Sequence, residues 1–266
     1  MQKKIHFAKM HGLGNDFVVI NATHQAFDLT SLSIVGLADR HTGIGFDQLL
    51  IIQPSDRANY FCRIFNADGS EAEQCGNGLR CVARFLHETG FSSSSLQLET
   101  KAGIFPIAIK DYDHIRVTMG VPHIQNNLVE LPIKNTTQPL HASVLSLGNP
   151  HAIIKVESVD TVRTDQLGAE ISTHVFFPQG ANVGFMQIVN QNHIRLRTFE
   201  RGVGETLACG SNACAAICAG IVNGWLGDQV KVEFRHGDLW IEWDREKQLI
   251  HMTGPAAYVF SGEFLL

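Results

Sequence analysis

A chain of 266 residues is long enough for one large domain or two ordinary ones with a real core. With 44% apolar and 18% charged residues it reads as globular rather than disordered, and a net charge of −5 without a basic run argues against nucleic acid as a partner. The start MQKKIHFAKM lacks the apolar stretch of a signal peptide, and the longest apolar run, ACAAICAGIV at 213–222, is too short to span a bilayer, so no membrane association and a cytoplasmic location are expected. The six cysteines (Cys62, Cys75, Cys81, Cys209, Cys214 and Cys218) include no CxxC pair, and the histidines are scattered. Neither a disulfide framework nor a metal site is expected from such spacing.

In chain order, KIHFAKM and FVVIN read as strands, followed by a short helix through residues 30–40 that stops before the glycines of HTGIG. QLLIIQ and NYFCRIFN are strand-like, and the second runs into the loop NADGSEAEQ. From Cys75 onward Leu79, Val82, Phe85 and Leu86 recur at helical spacing, with Gly90 as a stop. SLQLET, GIFPIAIK and HIRVTMG form a strand series. The same order then repeats: SVLSLGN, HAIIKV, a helix near 162–174, NVGFMQIV, HIRLRTFE, a glycine-rich loop, a helix from Cys209 and three final strands.

That repetition has a register. Leu13-Gly14-Asn15 matches Leu147-Gly148-Asn149, Phe65 matches Phe199, Glu71 matches Glu205, Cys75-Gly76 matches Cys209-Gly210, and Gly90-Phe91 answers Gly224-Trp225, all at an offset of 134. The chain therefore reads as two related halves. In the second half, the helix at 213–222 is apolar or small on every side and must be enclosed by protein. The expected fold is α+β: two pseudo-symmetric halves, each a curved, mostly antiparallel sheet or barrel around a central helix. The halves are expected at 1–118 and 119–254, with the final strand at 255–266 packing back on the first.

The chemistry follows from where the repeat puts cysteine. At a helix N-terminus the first N–H groups lack internal partners and carry partial positive charge, and glycine lets a ligand approach. CGN at 75–77 and CGS at 209–211 read as carboxylate cradles. The same field is expected to lower a thiol's pKa. If the halves face each other, one thiolate can remove an α-proton from one face of a carboxylate-bearing carbon while the other thiol protonates the opposite face. That is racemisation or epimerisation without a cofactor.

The segments HGLGNDFVVI, GFDQLLI, FNADGSEAEQCGNGLRC, SLGNPHAI, ANVGF, RTFERGVGETLACGS and TGPA together resemble the diaminopimelate epimerase family over essentially the whole chain. The resemblance implies that Cys75 and Cys209 are the acid/base pair. It implies that Gly76, Asn77, Gly210 and Ser211 hold the reacting carboxylate, and that Asn15, Gln48, Asn66, Asn149, Asn182, Glu200 and Arg201 bind substrate. His151 and Glu200 match residues assisting proton handling. The implied substrate is the small molecule diaminopimelate, with no cofactor and a homodimeric assembly. One departure is Asn212, where the family usually has a second glycine; Asn tolerates left-handed backbone better than most residues and still donates its N–H, so function is expected to survive there.

Two rivals remain at this point. A proline racemase-like epimerase shares the paired cysteines but has no need of the distal set of Glu200 and Arg201. A non-catalytic redox protein would use the same two thiols as a disulfide switch. A dinucleotide site is disfavoured because GLGNDF places Phe17 where the fingerprint needs glycine, and GVGET at 202–206 lacks the lysine of a phosphate loop.

Overall fold

The computed structural model describes residues 3–25, 28–134 and 139–266. The chain divides into two compact units, residues 1–117 with 254–266 and residues 118–253. The element order repeats. The first pass runs β1 (Lys4–Gly12), β2 (Asn15–Asn21), α1 (Ile34–Ala38), β3 (Gln48–Gln53), β4 (Tyr60–Asn66), β5 (Glu71–Ala72), α2 (Gly76–Glu88), β6 (Ser95–Thr100), β7 (Gly103–Ile109), β8 (Ile115–Gly120) and β9 (His123–Leu131). The second runs β10 (Leu140–Ser146), β11 (Pro150–Val156), α3 (Thr164–Ser172), β12 (Asn182–Asn190), β13 (His193–Glu200), β14 (Gly204–Thr206), α4 (Gly210–Val222), β15 (Gln229–Phe234), β16 (Gly237–Asp244), β17 (Leu249–Gly254) and β18 (Ala257–Leu265). Several pairs, including α2 with α4 and β9 with β18, begin and end at the same offset of 134 seen in the sequence.

Pairing repeats as well. β1–β2 and β3–β4 are antiparallel while β2–β3 and β4–β6 are parallel. In the second unit β10–β11 and β12–β13 are antiparallel while β11–β12 and β13–β15 are parallel. The last strand of each pass does not stay with its own pass: β18 pairs with β1, and β9 pairs with β10. Each sheet thus curls around one helix, α2 touching β1, β2, β3, β7 and β18, and α4 touching β10, β11, β12 and β16.

The two helices are apolar for different lengths. Along α4, Ala213 to Ile221 are buried without exception, and the enclosure expected through Val222 ends one residue early, where Val222 is 40% exposed at the helix end. In α2 the buried face includes Leu79, Val82 and Leu86, and also Arg80, a charge at 0% exposure. Gly90 follows the C-cap of α2 with φ +118°, a conformation that favours glycine. The helix expected over residues 30–40 is broken into a short 3₁₀ turn at Leu29–Ser31 and the five-residue α1.

A bidentate ion pair recurs at the hairpin that feeds each long helix. Arg63 Nε donates to Glu71 Oε1 at 2.7 Å, and Arg197 Nε donates to Glu205 Oε1 at 2.7 Å. Each pair ties the end of one strand to the short strand just before the cysteine, which fixes the approach to the helix. In the second unit α3 also packs tightly on β13: a Cβ placed on Gly168 would lie 2.5 Å from Cβ and Cγ of Phe199, the neighbour of Glu200.

This contact reverses the usual sign of a substitution. Glycine to alanine inside a helix ordinarily stabilises by about 1 kcal/mol. Gly168→Ala is expected instead to destabilise by about 1–3 kcal/mol, because a rigid ring root cannot move aside. Urea unfolding of the two proteins reads the difference, and a more stable variant would refute this packing.

Candidate active site

Each long helix starts from a cysteine in extended conformation. Cys75 is the N-cap of α2 with φ −149°, and Cys209 is the N-cap of α4 with φ −123°. At Cys75 the sulfur takes the role usually given to Ser or Asp. The Gly78 N–H donates to Cys75 Sγ at 3.4 Å, whereas the equivalent Asn212 N–H points at Cys209 Sγ without closing a capping hydrogen bond. The first turns are buried at Gly76, Asn77 and Gly78 and at Gly210 and Asn212, with Ser211 half-buried. The glycines matter here: a Cβ on Gly78 would press on Leu50 at 3.1 Å.

In the first unit Asn15 and Asn77 meet at this helix start, while Gln48 and Asn66 pair with each other. Leu13 and Gly14 both have positive φ, +56° and +87°, which makes the tight β1–β2 turn and delivers Asn15 to the end of α2. Cys75 Sγ donates to Asn15 Oδ1 at 3.8 Å, and Asn77 Nδ2 donates to the same oxygen at 3.3 Å. Gln48 and Asn66 face each other across β3 and β4, Gln48 Nε2 donating to Asn66 Oδ1 at 2.8 Å. Gln48 Oε1 is buried with no partner, an acceptor left open for an ammonium.

The second unit places its set at the equivalent strand ends. Asn182 opens β12 and accepts the Arg201 N–H at 2.9 Å, while Glu200 closes β13 and accepts from the Thr206 hydroxyl at 2.6 Å. The exposed Arg201 guanidinium donates to the Gln179 carbonyl at 2.8 Å. Ser211 Oγ lies 3.5 Å from Cys209 Sγ, and Asn149 Oδ1 lies 2.9 Å from His151 Nε2.

Burial changes the electrostatics expected here. Both thiols were expected to fall in pKa at a helix N-terminus. Cys209 goes the other way: burial and then the Glu200 carboxylate raise it well above the ordinary thiol range, outweighing the Ser211 hydroxyl and the Asn212 N–H. At 6% exposure the loss of water exceeds what one helix end returns. His151 has no exposed surface, and burial pushes it down to about 3 with the Arg201 charge adding to the effect. The Asn212 side chain lies beside the ring and favours its charged form, but neither His151 Nδ1 nor Asn212 Oδ1 closes a full hydrogen bond.

Asn212 needs no special backbone here. It is not left-handed but the third residue of α4, with its amide donating to the Val183 carbonyl at 2.9 Å. Its side chain fits because residue 184 is glycine, where a Cβ would stand 2.6 Å from Asn212 Oδ1. Three residues around the cysteines escape a reading of the sequence alone: Thr206 on Glu200, Asp47 on Asn15, and the buried Arg80 on Asn77. For Arg80 a signal existed. Its counterpart at the 134 offset is Cys214, inside the wholly apolar helix, which marks position 80 as interior.

Comparison with known proteins agrees with the repeat. The family model described as diaminopimelate epimerase matches residues 7–125 and 143–259. The chain is 47% identical to the diaminopimelate epimerase of Azoarcus sp., covering 98% of this chain and 99% of that protein. It is 45% identical to the diaminopimelate epimerase of Nitrosomonas europaea, covering 97% and 98%. Among solved structures, a phenazine biosynthesis protein of the PhzF family from Bacillus anthracis superposes with a TM-score of 0.76 at 19% identity, covering 99% of this chain and 100% of that one. A hydroxyproline epimerase from Agrobacterium vitis gives 0.75 at 15% identity, covering 100% and 94%. These structural likenesses speak to the fold.

The His151 ring carries a pH signature. The unfolded chain takes up its proton near pH 6.5, whereas the folded chain resists until about pH 3. The stabilisation is whole above pH 6.5 and is lost as pH falls toward 3. Across that window wild-type stability is expected to fall faster than that of His151→Gln, by up to about 1.4 kcal/mol per pH unit. Parallel urea titrations at pH 7 and pH 4.5 measure this, and equal slopes would contradict a buried neutral ring.

Proposed function

We propose a two-base, cofactor-independent epimerisation for this chain, which belongs to the diaminopimelate epimerase family. The substrate pair is LL- and meso-diaminopimelate, serving lysine and cell-wall precursor synthesis in the cytoplasm, with the enzyme as a homodimer. The observation that carries the reading is the twin placement of Cys75 and Cys209, each the N-cap of a helix enclosed by a curled sheet.

The chemistry assigns parts to the residues around them. A carboxylate at the helix N-termini is met by N–H groups of Gly76, Asn77, Gly210 and Ser211, which also stabilise the enolate charge as the α-proton leaves. Cys209 starts as a thiol, and the Glu200 carboxylate against it accepts its proton when it acts as base. Cys75 then gives its proton to the opposite face, and the roles reverse in the other direction. Because the pair shares a proton, its two titrations belong to the pair. His151, held neutral, orients Asn149 rather than carrying charge.

The distal end explains the substrate. Diaminopimelate has an amino acid at each end, and inverting one centre requires gripping the other by its configuration. Arg201 suits the distal carboxylate; Gln48 Oε1, an open buried acceptor, suits an ammonium; Asn15, Asn66, Asn149 and Asn182 fix orientation. A small cyclic amino acid would leave these groups unmatched.

Under reducing conditions, Cys75→Ala and Cys209→Ala are each expected to slow LL-to-meso conversion by roughly a thousandfold or more, the scale of general acid–base catalysis. Chiral chromatography of the products reads this directly. Full activity with either cysteine replaced would overturn the two-base scheme, and equal turnover of proline would overturn the substrate.

A further inference from the structure

Amides are ambiguous groups, since either end can face a neighbour. Around Cys75 that ambiguity is removed from both sides. Asn15 Nδ2 donates to Asp47 Oδ2 at 2.9 Å, and a carboxylate can only accept. Asn15 must therefore turn its oxygen the other way, toward Cys75 Sγ at 3.8 Å. At the far end Arg80 Nη1 donates to Asn77 Oδ1 at 3.0 Å, and a guanidinium can only donate. Asn77 must therefore present its Nδ2 to Asn15 Oδ1, at 3.3 Å. Asp47, Asn15, Asn77 and Arg80 form a polarised chain with one consistent direction.

The ends of this chain are themselves anchored. Asp47 is gripped by Arg40 Nη2 at 2.8 Å and accepts the Asp16 N–H at 3.1 Å. Arg80, fully buried, donates through Nε to the Pro255 carbonyl at 3.1 Å, where the chain rejoins the first unit. One turn on, Arg84 Nη1 donates to the Ala256 carbonyl at 2.6 Å. The TGPA segment singled out in the sequence is thus the backbone shelf that holds the two arginines. Nothing of the kind exists at the equivalent positions of the second unit, which hold Ala181, Ser211 and Cys214.

We propose that Asp47 and Arg80 are positioning residues that fix, from two ends, the amide orientation presented to Cys75, so that Asn15 Oδ1 keeps the proton on that thiol until substrate binds. The proposal rests on the two-base reading, in which Cys75 enters one direction of the reaction carrying a proton. The two units then hold their thiols protonated by different means: an amide oxygen at Cys75, burial and a carboxylate at Cys209. The Gly78 N–H also reaches Cys75 Sγ at 3.4 Å, and the neighbouring thiols Cys62 on β4 and Cys81 on α2 are both raised by burial, Cys81 to about 12, so neither of these thiols supplies a competing charge.

Either end alone suffices to orient both amides, which makes the test a double-mutant cycle on the free protein. The readout is the rate at which iodoacetamide alkylates Cys75, resolved by peptide mass spectrometry. Asp47→Asn and Arg80→Gln singly are expected to stay within about twofold of wild type, while the double variant alkylates on the order of fivefold faster, the effect of freeing one amide dipole beside a thiol. The two charge changes cancel in the double variant, so a purely electrostatic influence would leave it at the wild-type rate and overturn the proposal. Rates that simply multiply would overturn it too. Should Arg80→Gln not fold, Asp47→Asn with Asn77→Ala severs the same chain without touching the buried guanidinium, and the same acceleration is required. No substrate enters this measurement, so inactivity on diaminopimelate would defeat the proposed function while leaving the relay to its own rates.

Discussion

The structure turns on a cysteine at the N-cap of a buried helix. Helix ends must find partners for their first N–H groups, and a sulfur meets that need poorly compared with a hydroxyl or carboxylate. In both units the chain places cysteine there and follows it with glycine, Gly76 in one and Gly210 in the other, so the first N–H groups keep a place for an anion. Much of the fold serves that arrangement. The curled sheet takes water from the helix sides, the Arg63–Glu71 and Arg197–Glu205 pairs set the hairpins leading in, and Leu13-Gly14 turns Asn15 back over α2.

From that shared plan the two units diverge in polarity. The first uses neutral amides around Cys75, which is partly buried, and keeps the Asp47 and Arg80 charges at a remove. The second buries Cys209 against Glu200, and Asn212, whose N–H points at that sulfur, lies beside the buried His151 ring. Epimerisation asks for such a difference. Two thiols in identical surroundings would have no preference for which carries the proton, whereas in the proposed reaction an amide beside Cys75 and a carboxylate beside Cys209 would give each cysteine its own way of holding and losing it.

How much of this could be read from the sequence depends on the kind of signal. The repeat was legible because residues with special backbone or chemical roles recur in register: glycine at turns, cysteine at helix starts and glutamate in the hairpins. The enclosed helix was legible because ACAAICAGIV has no polar face. Asp47 was not, since a charged residue after Phe46 ordinarily reads as solvated, and for Arg80 the repeat marks only an interior position; the role of both comes from donor-only and acceptor-only groups that the fold brings to the two amides. The direction of the Cys209 shift was equally hidden, because a helix start suggests a lowered pKa and only packing reveals the desolvation that reverses it. Asn212 was seen as a departure, but its reason lay in Gly184, on a strand remote in sequence.

The central claim is that the proton leaving one face of the α-carbon and the proton arriving at the other belong to different thiols. The direct measurement is an early time course with LL-diaminopimelate in D₂O, separating the LL and meso pools and reading α-deuterium in each by mass spectrometry. The account predicts that meso product carries one deuterium from the first sample while the remaining LL substrate stays unlabelled. LL substrate gaining deuterium as fast as meso product forms would mean a single base serving both faces, and would contradict it.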